Sequence, residues 1–282
     1  MSNRTRKAEL AEFARTEPAT IPSTLTGNFR RHETFHSSFL ENTRDLLVYL
    51  PPGYEENVER RYPVFYLHDG QNLFDPATAF IPGQDWRVDE TAEHLIRAGE
   101  IEPLIMVGIY NTGEHRMKEY TPSLDPAHPQ SGKADLYGRF LVEELKPFID
   151  SHYRTLTGGE HTGLGGSSLG GLVSLYLALR FPGEFQRVGA MSPSVWWHRR
   201  MILRHVERLP EKPPLRIWLD IGADEGSQHV RYVRQLRLKL EKKGWRPGED
   251  LAFVEAPGAG HTEAAWAERA PAMLRFLFGR NS

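Results

Sequence analysis

Apolar residues in this chain fall into short unbroken runs separated by longer stretches of helical spacing. Tyr62-Pro-Val-Phe-Tyr-Leu-His68, Leu104-Ile-Met-Val-Gly-Ile-Tyr110 and Leu215-Arg-Ile-Trp-Leu-Asp-Ile221 are runs of this kind. A strand covered on both faces reads this way, because neither side of its pleat meets water. His161-Thr-Gly-Leu-Gly-Gly166, Val188–Met191 and Leu251–Glu255 are shorter versions. Phe29–Phe39 and Asp45–Leu50 predict two extended strands around a turn at Glu41-Asn42, and Pro51-Pro52-Gly53 stops the second. Between these runs the spacing predicts helices at Val88–Ala98, Ala134–Tyr153, Leu172–Arg180, Arg199–Leu209, Val230–Lys243 and Glu263–Phe278. In Ala134–Tyr153, Tyr137, Phe140, Leu141, Leu145 and Phe148 share one side, and Pro147 predicts a kink or an early end. Strands alternating with helices predict an α/β fold, a mostly parallel sheet covered on both faces.

Composition narrows the class. The chain has 282 residues, 39% hydrophobic and 26% charged, enough apolar surface for one large α/β core. Residues 1–28 are polar, with a short helix-like piece at Lys7–Arg15, and predict a surface arm ahead of one domain spanning 29–282. The 35 basic and 37 acidic residues leave a net charge of −2. That balance argues against nucleic acid or an anionic membrane surface as a partner. With no cysteine, disulfides, thiolate metal sites and cysteine nucleophiles are excluded. No stretch approaches the ~18 apolar residues of a membrane span. The basic start lacks the apolar run of a secretory signal, so the expected compartment is the cytoplasm.

The candidate chemistry centres on Gly166-Ser167-Ser168-Leu169-Gly170. It matches G-x-S-x-G, the turn that lifts a serine hydroxyl above a parallel sheet, and it lies between a predicted strand and a predicted helix. Only Ser168 has glycines at both required positions, since centring on Ser167 puts Leu169 where the second glycine belongs. Ser168 is therefore the expected nucleophile. A serine hydroxyl needs a base, and the base needs an orienting acid. In this fold the chain order is serine, acid, histidine. His261, in the Gly/Pro loop before the last helix, is the expected base. His68 precedes the serine and reads as a structural hydrogen-bonder, while His205 and His229 fall on or beside helices and read as solvated. Asp224 and Glu225 both follow a strand end, and periodicity does not choose between them. The backbone N–H of Leu169 is one expected oxyanion donor, with Gly70 or Gln71, in the loop after His68, as the other. Trp196 and Trp197, just past a strand end, predict an aromatic wall for the substrate, with Phe74 and Trp86 as further members. No His-Glu-x-x-His pattern is present, and neither a metal nor a cofactor is expected.

Together these motifs resemble the putative-esterase family of α/β-hydrolases, which includes enterochelin esterase-like proteins, esterase D and feruloyl or acetyl-xylan esterases. The resemblance runs from about Phe29 to Phe278. It rests on Val48-Tyr-Leu-Pro-Pro-Gly-Tyr54, Tyr66-Leu-His-Asp-Gly-Gln-Asn-Leu-Phe-Asp75, Gly166-Ser-Ser-Leu-Gly-Gly171, Met191-Ser-Pro-Ser-Val-Trp-Trp197, Leu219-Asp-Ile-Gly-Ala-Asp-Glu225 and Gly260-His261. It implies the α/β-hydrolase fold and a serine esterase acting on a small-molecule ester through an acyl-enzyme. The family's acid usually stands three residues after the glycine that ends its strand. Carried onto Gly222, that position is Glu225. An acyltransferase with the same three residues, and a binding module without catalysis, are the competing readings.

Overall fold

In a computed structural model, which describes residues 21–280, eight strands form one sheet. The strands are β1 (Asn28–Ser37), β2 (Asn42–Leu50), β3 (Val64–His68), β4 (Ile105–Ile109), β5 (Thr162–Ser167), β6 (Arg187–Met191), β7 (Arg216–Gly222) and β8 (Leu251–Ala256). Their spatial order is β1-β2-β4-β3-β5-β6-β7-β8. β1 and β2 form the predicted hairpin, and β2 runs antiparallel to β4. From β4 to β8 every pairing is parallel. The predicted Lys7–Arg15 helix lies outside the described residues. Residues 23–26, assigned to a surface arm, are tied to the fold. The Ser23 hydroxyl donates to Asp75, and the Thr26 N–H donates to Asp89 at 2.8 Å.

The helices divide between the two faces. α1 (Val88–Arg97) and α8 (Glu263–Phe278) cover one, where Tyr49, Phe65, Leu67, Met106 and Trp218 point. The other face carries Val48, Tyr66, Val107, Leu164 and Leu219, under α5 (Leu169–Arg180), α6 (Trp197–Arg208) and α7 (Ser227–Lys243). Neighbouring residues of one strand thus enter opposite cores, which is why the runs read as unbroken rather than alternating. α2 (Arg116–Tyr120) is a single short turn after β4.

Two features depart from the predicted pattern. The stretch beginning at Ala134 runs as α3 (Ala134–Arg139), a π-helical segment (Phe140–Leu145) and α4 (Lys146–His152). Pro147 neither ends nor breaks it. The missing N–H falls at the start of α4, and the wider turn just before it takes up the mismatch. α6 opens with His198, Arg199 and Arg200 in the left-handed region, so its regular part begins after the predicted start.

β5 is unusually rich in glycine for a central strand. A Cβ on Gly165 would stand 2.4 Å from the Phe65 ring, and one on Gly163 would stand 2.9 Å from it. The ring of β3 fills the space that side chains on β5 would otherwise occupy.

Candidate active site

β5 passes into α5 through Ser168, whose backbone sits at φ 57°, ψ −120°. A non-glycine residue there costs on the order of 1–3 kcal/mol and persists only when its surroundings hold it. Three hydrogen bonds do so. The Ser168 N–H donates to Met191 O at 3.0 Å, and its carbonyl accepts from Ser194 N–H at 3.0 Å and Leu172 N–H at 3.1 Å. The glycines make the turn possible by contact as well as by torsion. A Cβ on Gly166 would lie 3.0 Å from the Gly170 carbonyl carbon, and one on Gly171 would lie 2.9 Å from Met191 O. Ser167 is the buried last residue of β5, whereas Ser168 is half-buried. The Ser168 hydroxyl lies 3.3 Å from that of Ser194. Among the described residues no hydrogen bond joins it to His261.

The loops after β7 and β8 are stitched together by backbone. Asp224 N–H donates to Ala259 O at 3.0 Å, and Ala223 N–H donates to Ala256 O at 2.8 Å. A Cβ on Gly222 would come within 2.2 Å of Ala259 O, so only glycine allows this approach. The result is a hydrogen bond of 2.6 Å between His261 Nδ1 and Glu225 Oε2. The Glu225 side chain is 2% exposed and that of His261 is 44% exposed. Oε1 of Glu225 accepts from the Ser192 hydroxyl at 2.5 Å and from Gly222 N–H at 2.8 Å. Burial works to raise the Glu225 carboxyl. The hydrogen bonds from His261, Ser192 and Gly222 outweigh it and hold the group below the usual glutamate range. Asp224 is exposed and enters the loop through its backbone alone.

The loop after β3 lies against the start of α5, because a Cβ on Gly170 would be 3.3 Å from both Asp69 Oδ2 and His68 Cβ. His68 is fully buried and meets the Tyr137 hydroxyl at 3.0 Å. Burial drives its pKa down to about 3, so the ring is neutral at ordinary pH. Asp69 is left-handed at φ 58° and buried. Its carboxylate receives Arg116 Nε and Nη2 at 2.7 Å each and Asn111 Nδ2 at 2.7 Å. Burial raises the Asp69 carboxyl, but Arg116 and Asn111 more than compensate and keep it low. Gly70 begins a single 3₁₀ turn, Gly70–Asn72, packed on β4. A Cβ on Gly70 would lie 2.6 Å from the Gly108 carbonyl carbon. Gln71 is fixed through its side chain, which accepts Asn111 N–H at 3.2 Å. Leu169 N–H belongs to the first turn of α5, where helix geometry supplies no acceptor.

The aromatic wall is largely corrected. Trp196 is 39% exposed, but Trp197 and Phe74 are fully buried and Trp86 is 2% exposed. Trp197 donates its indole N–H to Ser123 O at 3.2 Å, Phe74 packs 5.4 Å from Phe29, and Trp86 packs 6.0 Å from Trp266. These three rings are core, drawn in by the apolar area they remove from water. His205 is half-buried against Tyr176 at 5.1 Å rather than solvated, while His229 is exposed. Ser192, Ser194, Arg116 and Arg269 are neighbours of the site that residue patterns did not assign a role. Three surface clefts lie away from it, none lined by Ser168, Glu225 or His261. Among the described residues no group of three His, Asp or Glu side chains is arranged to hold a metal, and no helix is long and apolar enough to cross a membrane.

Comparison with known proteins agrees with this architecture. The profile of the family described as "Putative esterase" matches residues 37–277. The uncharacterized protein YbbA of Bacillus subtilis is 26% identical over 253 residues, 84% of this chain and 94% of that protein. The ferri-bacillibactin esterase BesA of the same organism is 29% identical over 226 residues, 71% of this chain and 73% of BesA. An IroE-like serine hydrolase from Shewanella oneidensis superposes with a TM-score of 0.70 at 24% identity, covering 89% of this chain and 80% of that one. The chain therefore belongs to the "Putative esterase" family, hydrolases of ester bonds built on the α/β-hydrolase fold.

Proposed function

We propose that this chain is a serine esterase that cleaves a small-molecule carboxylic ester through an acyl-enzyme. The observation that carries the reading is the 2.6 Å pair of His261 and Glu225, in the loops after β8 and β7, at the same end of the parallel sheet as the strained Ser168 after β5 and with β6 lying between. Ser168 is the nucleophile, His261 the general base and Glu225 the acid that orients it. With Nδ1–H donated to Glu225, the other ring nitrogen, Nε2, is left as the acceptor a base requires. Its contact with Ser168 closes when substrate binds, since catalytic hydrogen bonds are often long in unliganded sites.

The reaction follows from these roles. His261 Nε2 takes the Ser168 proton as Oγ bonds to the ester carbonyl carbon. The carbonyl oxygen, now an oxyanion, is met by Leu169 N–H and by Gly70 or Gln71 N–H. The intermediate collapses, the C–O bond to the alcohol breaks, and the imidazolium returns its proton to the leaving alkoxide. Water then repeats the sequence on the acyl-enzyme and releases the carboxylic acid. Trp196, the exposed ring of the pair, is the apolar surface for the substrate. We infer one catalytic domain spanning 29–282.

A fluorophosphonate probe tests the reading. Labelling at Ser168, lost in Ser168→Ala, together with turnover on a panel of p-nitrophenyl, feruloyl and catecholate esters, is the expected result. Labelling at Ser167, or no hydrolysis of any ester in the panel, overturns it. The name of BesA makes siderophore esters worth including in that panel.

A further inference from the structure

Behind Glu225 lies a buried polar cluster. Ser192 is 2% exposed and left-handed at φ 42°. Its hydroxyl donates to Glu225 Oε1 at 2.5 Å and accepts from Trp266 Nε1 and Arg269 Nη2 at 3.0 Å each. Arg269 Nη2 also stands 3.3 Å from Asp220 Oδ1 and 3.8 Å from Glu225 Oε1. Asp220, fully buried, accepts Ser192 N–H at 3.0 Å on Oδ1 and Trp218 Nε1–H at 2.7 Å on Oδ2. Burial raises the Asp220 carboxyl, opposed by Arg269 and by the Trp218 and Ser192 N–H groups that meet both its oxygens as they would those of an ionised carboxylate.

Stability alone does not account for this cluster. Arg269 is 6% exposed, and among the described residues its Nε and Nη1 have no hydrogen-bond partner. A half-satisfied buried cation is a burden on folding, as is a serine held at positive φ. The charges give a reason for both. With Arg269 at +1 and the Asp220 and Glu225 carboxyls both ionised, the cluster is one charge short of neutral. It reaches neutrality when His261 becomes an imidazolium.

Resting on the esterase reading above, we propose that Ser192, Arg269 and Asp220 are positioning residues for the Glu225–His261 pair. Ser192 fixes the rotamer of Glu225 so that Oε2 meets Nδ1. Arg269 and Asp220 set how readily the imidazole takes a proton. The other charged or titratable groups around the pair are Asp224 in its own loop, His229 at the start of α7 with Nδ1 3.1 Å from Glu225 O, and Glu263 at the start of α8. Among the described residues, only Arg269 and Asp220 of the charged groups around the pair are both buried and joined to Glu225 through Ser192.

Two measurements on the full chain test this. The first compares Ser192→Ala with Ser192→Gly. Both remove the hydroxyl, but glycine also relieves the left-handed backbone. The glycine variant should melt at the higher temperature, while both lose kcat by ~10- to 100-fold, as for other groups that orient an imidazole through its partner, with KM little changed. Recovery of kcat in the glycine variant would mean that backbone geometry, not the hydroxyl, matters, and would overturn the proposal. The second follows the His261 imidazole by nitrogen-15 NMR, assigned with His261→Ala. Arg269→Gln should move its titration to higher pH and Asp220→Asn to lower pH. Each shift should be about 1.5 to 2 pH units, the size a unit charge roughly 6–8 Å away gives at an effective dielectric constant near 20. Unmoved titrations in both variants overturn the proposal. Should Arg269→Gln fail to fold, Arg269→Lys keeps the charge and should keep the wild-type titration. The NMR titration needs no turnover. If Ser168 is not labelled by fluorophosphonate the esterase reading falls, and the titration still decides whether the cluster controls His261.

Discussion

The two sides of the candidate site are built from different materials. Around Ser168 the work is done by backbone. Gly166, Gly170 and Gly171 allow the close approach, and main-chain hydrogen bonds to Met191, Ser194 and Leu172 hold the turn. Around His261 the work is done by side chains, with Glu225 bonded to His261, Ser192 to Glu225, and Trp266 and Arg269 both to Ser192. The loop after β6 joins the two, because Ser194 reaches the Ser168 hydroxyl and Ser192 reaches Glu225. A backbone-built half fails abruptly when a Cβ is added. A half built from side chains can lose one member and still function in part.

Substitutions can break that contrast at several levels. Ser168→Ala or His261→Ala should lower kcat by about 10⁶, the loss seen when a nucleophile or its base is removed. A residual rate near wild type in either variant would remove it from the mechanism. Glu225→Gln should lower kcat by about 10⁴, because the amide favours the wrong imidazole tautomer. Asp224→Asn should stay within a few-fold, since Asp224 is exposed and contributes only its N–H to the loop. The reverse order would move the acid by one residue. Gly70→Ala should cost about 10²- to 10³-fold in kcat if that loop supplies an oxyanion donor. Its Cβ would press on the backbone of β4, whereas at Gly183 a Cβ meets nothing within 4 Å. Gly183→Ala is therefore the control, and equal behaviour of the two variants would dismiss the backbone argument.

The smallest expected effect lies away from both halves, where residue 26 docks. Asp89 is fully buried, and burial, reinforced by Glu90, pushes its carboxyl up to about 8, against the pull of the Thr26 N–H. The folded state then holds this proton more tightly than the unfolded chain does. Its contribution to stability is greatest below the unfolded value near 4 and is lost as pH rises toward 8. Denaturant midpoints measured at pH 5 and pH 9 should fall more in the wild type than in Asp89→Asn. Parallel falls would exclude Asp89 as the cause.

The backbone half was the more legible in sequence, for a physical reason. Glycine spacing around Ser168 is a local requirement, so five consecutive residues report it. β3 and β4 were legible because every residue in them is buried, which leaves an unbroken apolar run. The side-chain half depends on partners far apart in the chain. Ser192 and Arg269 are 77 residues apart, and no periodicity links them. Asp224 and Glu225 were indistinguishable by pattern; the spacing implied by the resemblance, with glutamate's longer reach, favoured Glu225, the carboxylate that meets His261. Trp197, Phe74 and Trp86 misled because a large ring past a strand end serves a core as readily as a binding surface. Pro147 does not bring the expected early end, because its missing N–H falls at the start of α4, directly after the π-helical turn.

The glycine strand β5 has a consequence for how this sequence can drift. The Phe65 ring occupies the volume that side chains at Gly163 and Gly165 would need. Enlarging Gly165 alone drives a methyl group into the ring, and shrinking Phe65 alone opens a void of the kind that costs about 3–5 kcal/mol. Made together, the two changes conserve volume and are far milder than either step. A lineage can therefore reach the exchanged pair only through a poor intermediate, which ties the identity of β3 to that of β5 across generations.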